Sequence, residues 1–231
     1  MSAPYPWLAA PWAELVARAA RDALGHAYLL CGREGLGKFA FAEHFARGLL
    51  CEQRPADGQA CGACRGCLLN ASGNHPDLKL LTLEEERKSI VIDQVRDLIE
   101  FFTLKAHYHG RKIGIVYPAD TMNNASANAL LKILEEPPAS ALLLLVASRP
   151  ALLPATIHSR CQRINFELPA WDVRERWLSA QLATRDKAPV VAAAPAKVAA
   201  PSAPAVARAS APVVTHTEPT VARVAPAPVA Q

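Results

Sequence analysis

GREGLGKF, residues 32–39, follows the apolar run HAYLLC of residues 26–31 and opens KFAFAEHFARGLLC, residues 38–51, whose apolar positions recur with helical period. Strand, glycine loop and helix in this order are the setting of a phosphate-binding loop, in which glycines free backbone amides to cradle phosphates and a lysine reaches the terminal ones. Gly32, Gly37 and Lys38 stand where such a loop needs them. The next position calls for a Ser or Thr whose hydroxyl ligates magnesium. It is Phe39, and a benzyl ring offers a hard cation no lone pair.

A second magnesium contact should come from an Asp, usually followed by Glu, at the end of the next long buried strand. That strand, KIGIVYP at residues 112–118, ends in Tyr117 and Pro118, and Asp120 arrives late. Asp120 reads as a turn or capping residue beside Pro118. With both metal contacts missing, nucleotide hydrolysis at this loop is not expected, and Gly32, Gly37 and Lys38 are left with weak nucleotide binding or none.

PWAELVARAARDAL at 11–24 predicts an amphipathic helix begun by proline and ended by Gly25. Val95, Leu98, Ile99 and Phe102 predict another, with Asp93 as its cap, and NNASANALLKILEEPP at 123–138 a third, with asparagine caps and a stop at Pro137 and Pro138. ALLLLVAS at 141–148 reads as a buried strand and RINF at 163–166 as a shorter one. Continuously apolar strands separated by helices indicate an α/β fold, a parallel sheet covered on both faces.

The 231 residues are 51% hydrophobic, enough for a real core, and the formal charge is +4. After residue 183 there are five basic residues against Asp186 and Glu218, so little of that charge belongs to the folded part, and charge alone makes no case for direct nucleic-acid binding. No apolar run approaches a membrane span and the N-terminus lacks signal-peptide character, so a cytoplasmic protein without membrane association is expected. Residues 189–231 hold eight prolines and neither glycine nor Phe, Trp or Tyr, the composition of a disordered, Ala/Pro-rich tail.

Four of the six cysteines cluster: Cys51, nine intervening residues, then Cys61, Cys64 and Cys67 at two-residue gaps. Four thiolates so spaced close a tetrahedral zinc shell with no position left for water, hence a structural rather than catalytic ion. An iron–sulfur cluster or free thiols remain the other readings. Cys31 and Cys161 read as buried small residues.

In chain order, HAYLLCGREGLGK, the four-cysteine insertion, NHPDLKLL (74–81), SIVIDQVRDL (89–98), NNASANALLKILEEPP and LLPATIHSRCQRINF (152–166) resemble the clamp-loader subunits of bacterial DNA polymerase III. Within these the match is to the delta-prime family, over residues 24–168. The resemblance implies an AAA+-type P-loop module over residues 1–168 with the zinc module of residues 51–67 inserted, the start of a helical lid at 169–184, and the tail at 185–231. The collar domain that the resemblance would lead one to expect is not read within these residues, so the chain is expected to be a truncated form or to run into a linker. The resemblance also implies that Arg160, between Ser159 and Cys161, points out of its own subunit and completes a neighbour's ATP site in trans. Implied partners are the gamma/tau and delta subunits, with the sliding clamp and primer–template DNA reached through the complex. A gamma/tau-like ATPase would keep the hydroxyl and the Asp-Glu pair that this chain lacks; a zinc-stabilised interaction module outside the loader is the other alternative. His75 and Asp77 read as a turn without chemistry, and Arg163 as a surface charge.

Overall fold

Along strand β4 (Ala141–Ala147) every residue is buried, and successive side chains enter opposite cores because a strand alternates its faces. Leu142, Leu144 and Val146 join Tyr28, Leu30, Ile113 and Ile115 against Trp12, Leu15, Phe41 and Phe45. Leu143, Leu145 and Ala147 join Leu29 and Cys31 against Val95, Leu98, Phe102, Leu130 and Ile157. Each fully buried Leu contributes about 1.5–3 kcal/mol relative to an exposed one, so the sheet is held from both sides.

The computed structural model describes residues 5–84, 87–108 and 110–185; the tail expected from residue 185 lies, beyond that residue, outside them. Strands β1 (Ala27–Gly32), β2 (Leu78–Thr82), β3 (Lys112–Tyr117), β4 and β5 (Gln162–Phe166) pair in the order β2-β3-β4-β1-β5, all parallel. Helices α1 (Ala9–Ala20) and α2 (Lys38–Leu49) supply one covering layer, and α4 (Ile92–Thr103), α5 (Asn124–Glu135) and the single turn α6 (Ala155–His158) the other. Helix α3 (Arg65–Ala71) belongs to the cysteine module, and α7 (Trp171–Arg185) occupies the region expected to begin a lid. Gly114 in β3 lets α4 approach the sheet: a Cβ there would stand 2.8 Å from Phe102 and 2.9 Å from Leu98. Among the described residues, no helix is long and apolar enough to cross a membrane.

Three local expectations are corrected. Helix α1 begins at Ala9, directly after a 3-10 turn at Pro6–Leu8, placing Pro11 inside its first turn, where proline is tolerated; it ends at Ala20, before Asp22 with φ +52°, and not at Gly25. Asp93 does not cap α4. Gln94 Oε1 accepts from the Val91 N–H at 3.1 Å, while Asp93, inside the first turn, pairs with Arg96. The asparagine cap of α5 is present, Asn123 Oδ1 accepting from the Ser126 N–H at 2.8 Å.

The cysteine module docks on α1 and α2. Trp12 Nε1 donates to the Asp57 carbonyl at 2.9 Å, and Gly48 of α2 lies so close to the Gly58 carbonyl that any Cβ would collide with it. Gly48→Ala is therefore expected to lower stability by about 1–3 kcal/mol despite alanine's better helix propensity, as measured by urea denaturation.

Candidate functional site

The carboxyl ends of β1, β3 and β4 meet at one edge of the sheet and bring together the loop 33–37, Tyr117 and Ser148, the place where open α/β sheets bind ligands. Gly37 takes φ +85° at the start of α2, a left-handed conformation that glycine adopts without strain. The Tyr5 ring packs directly on it, in space that any side chain at position 37 would need. Trp7 Nε1 reaches over to donate to the Leu36 carbonyl at 3.1 Å. Tyr5 stacks on Trp7 with centroids 5.0 Å apart, and Trp177 of α7 closes onto both. The segment before the first helix thus lies across the loop.

Lys38 is buried, and its ammonium is held within the chain, donating to the Arg33 carbonyl at 2.7 Å and to Ser148 Oγ at 3.2 Å. Burial pulls its pKa below the ordinary lysine value, with nearby Asp120 opposing the shift. Phe39 and Tyr117, the residues standing in place of the two expected magnesium contacts, stack on each other at 4.6 Å and 23°. Two clefts share Glu34, Tyr117 and Ser148: one of about 200 Å³ beside Tyr5, Gly37, Lys38 and Phe39, and one of about 470 Å³ beside Arg33, Asp120 and Arg149.

Asp120 does occupy a turn, residues 119–121, but its setting is interior rather than loop-like. Its carboxylate accepts from the Ser148 N–H at 3.1 Å and faces Arg149 Nε at 3.4 Å, tying the β3 and β4 ends together. Asp77, likewise read as a turn residue, is fully buried and accepts from the His107 and Tyr108 N–H groups at 2.8 and 2.6 Å, which gives it a structural role. Arg163 is exposed on β5.

Arg160 lies between α6 and β5, on a different part of the surface. Ile157 and Cys161 on either side are buried and anchor the turn, while the Arg160 side chain stays about one-third exposed. Its Nη1 donates to the Thr156 carbonyl at 3.2 Å and Ser159 Oγ at 3.3 Å, and its Nη2 meets Glu135 Oε1 at 2.8 Å.

The cysteines come together as spaced. All four Sγ atoms lie within 4.8 Å of one another; Cys51 and Cys64 are 3.9 Å apart, as are Cys61 and Cys67. A tetrahedral ion with metal–sulfur bonds of about 2.3 Å separates its sulfurs by about 3.8 Å, so the cluster can hold one metal ion. A multi-iron cluster would spread its thiolates wider. Backbone amides support the sulfurs: Cys61 N–H donates to Cys51 Sγ at 3.3 Å, Cys64 N–H to Cys61 Sγ at 3.4 Å, and Cys67 N–H to Cys64 Sγ at 3.4 Å. Amides of Ala63 and Cys64 bring the Cys61 thiol down to about 6, while burial pushes Cys67 up to about 12. Cys31 and Cys161 are buried, as expected.

Sequence reading missed Tyr5, Trp7, Trp177, Ser148 and Glu135. The only local signal is an unusual aromatic pair, Tyr5 and Trp7, flanking a proline before the first helix.

Residues 8–170 match the family described as DNA polymerase III, delta subunit. The chain is 48% identical over 178 residues to DNA polymerase III subunit delta′ of Pseudomonas aeruginosa, a match covering 77% of this chain and 53% of that protein. Its identity to DNA polymerase III subunit delta′ of Escherichia coli (strain K12) is 37% over 178 residues, with the same coverage of 77% and 53%. The chain spans about half the length of the curated relatives it matches. Among solved structures, a DNA polymerase III gamma subunit-related protein from Thermotoga maritima shares the fold, with a TM-score of 0.51 at 23% identity over 75% of this chain and 54% of that one. The parallel sheet flanked by helices, expected from the sequence, is the one observed, and it is the fold shared with that structure.

Proposed function

The chain belongs to the DNA polymerase III delta-subunit family, and from that premise we propose that it acts as a delta-prime-like clamp-loader subunit that hydrolyses no ATP itself and lends Arg160 to the ATP site of a neighbouring subunit. The observation that carries this reading is the Phe39–Tyr117 stack: two aromatic rings stand at both positions where a working site would ligate magnesium. Without the cation, charge developing on a transferred phosphoryl group has no counterweight in this loop. Tyr5 over Gly37 and the internally held Lys38 add to the same conclusion.

Arg160 supplies to a neighbour what this loop has lost. A guanidinium is charged at any physiological pH and forks onto phosphate oxygens, and such a finger contributes about 10³–10⁵ in rate. Residues 1–168 then form the ring module and α7 the first lid helix. The gamma/tau and delta subunits are its direct partners; the sliding clamp and primer–template DNA are engaged through the assembled complex, in the cytoplasm. The ion of Cys51, Cys61, Cys64 and Cys67 is zinc, the metal that four thiolates in a closed tetrahedron suit best, and its task is structural.

The purified chain, given ATP and magnesium, is expected to release phosphate no faster than its Lys38→Ala variant, and to co-purify with the gamma/tau and delta subunits. Magnesium-dependent turnover abolished by Lys38→Ala would identify a gamma/tau-like ATPase instead, and failure to retain any loader subunit would remove the chain from the complex.

A further inference from the structure

The partner of Arg160 comes from another motif. Glu135 is the last residue of α5, and its Oε1 meets Arg160 Nη2 at 2.8 Å. The helix C-terminus carries partial negative charge from unpaired carbonyls, so Lys or Arg would suit this position better than an acid. Here Glu135 and Glu136 follow one another before Pro137 and Pro138 end the helix. Stability of α5 does not account for a carboxylate at that place; the guanidinium beside it does.

We propose that Glu135 is a positioning residue for Arg160, holding the guanidinium from below in the pose that meets a neighbour's phosphate. This inference rests on the reading of Arg160 as a finger. The guanidinium has five N–H donors in a rigid plane. Three are directed inward, two from Nη1 to the Thr156 carbonyl and Ser159 Oγ and one from Nη2 to Glu135. Two remain, the number that a bidentate grip on phosphoryl oxygens uses. Thr156 and Ser159 belong to the same turn as Arg160, so they move with it; Glu135 alone among these acceptors ties the finger to a different element. A finger already held in place loses less rotamer freedom when the neighbour docks. The pair is surface-exposed, with side-chain exposures of 35% and 50%, so its removal is not expected to disturb the fold.

The test uses a loader reconstituted with this subunit, clamp and primer–template DNA, in which the phosphate-loop lysines of the other ATPase subunits are replaced so that only the site facing Arg160 turns over. Glu135→Ala is expected to lower kcat about 10-fold with KM for ATP within about 2-fold, because misplacing a catalytic group weakens the transition state rather than substrate binding. Glu135→Gln, which keeps an acceptor oxygen, recovers most of that loss, and the melting temperature is unchanged in both. The Glu135→Ala, Arg160→Ala double variant turns over no more slowly than Arg160→Ala alone, since a positioning residue has nothing left to position. Wild-type kcat in Glu135→Ala beside an impaired Arg160→Ala overturns this inference and leaves the finger standing, as does a double variant slower than Arg160→Ala by the full 10-fold. An unimpaired Arg160→Ala loader overturns the finger and this inference together.

Discussion

Arg160→Ala in the same single-site loader is expected to lower the rate of ATP hydrolysis about 10³-fold, equivalent to about 4 kcal/mol of transition-state stabilisation. The expectation follows from what alanine removes: a charge that survives at any working pH, on a planar group whose two remaining donors are the ones proposed to meet a neighbour's phosphate. Arg160→Lys keeps the charge and loses the fork, and is expected to fall between the two. Both variants should melt with the parent protein, because the pair with Glu135 is exposed and pairs of that kind contribute about 0–1 kcal/mol. Steady-state turnover as a function of ATP concentration checks the prediction. An unchanged kcat in Arg160→Ala refutes the trans role, since nothing else in the variant would hide the loss.

Removal of the zinc proposed at the four cysteines is the second large expected effect. The purified chain is expected to carry one equivalent of zinc, and Cys67→Ala or exhaustive chelation to release it. Apparent binding free energies of structural zinc sites are about 10–16 kcal/mol in small peptides. In this protein the parallel sheet has two cores of its own, so the loss is expected to unfold residues 51–67 and leave the sheet standing. Trp12 reports it directly, because its indole N–H is bonded to Asp57 inside the module and a fluorescence change should accompany metal loss. Thiolates bind the ion and thiols do not, so acidification weakens binding. The steepest loss is expected below about pH 6, where even Cys61, whose thiol the amides of Ala63 and Cys64 bring down to about 6, takes up its proton. Metal analysis below half an equivalent after chelator-free purification refutes the zinc assignment.

How far the sequence carried these conclusions differs from element to element. Strands β1, β3 and β4 were legible because each is buried on both faces and so reads as an unbroken apolar run. The cysteine spacing was equally plain, since ligands two residues apart need only a tight loop to converge. Helix α3 was not. It has seven residues, its first turn is organised by Cys64 Sγ accepting from the Cys67 N–H, and cysteines stand where an apolar stripe would have announced it. Asp93 misled because an acid near a helix start is favourable in several positions, and which residue caps depends on where the chain turns.

Sequence alone showed that Phe39 stands where a phosphate loop carries Ser or Thr, that the strand at 112–118 ends in Tyr117 and Pro118 where an Asp is expected, and that four cysteines share a metal-ligand spacing, for each of these depends on residue type and local order. Only the folded chain decided that Phe39 and Tyr117 stack on each other, that Tyr5 covers Gly37, that Lys38 is held by Arg33 and Ser148, and that Glu135 pairs with Arg160. Those contacts join elements distant in sequence, and parallel pairing with its crossovers sets which strand ends and helix ends become neighbours; no local pattern of residues carries that information.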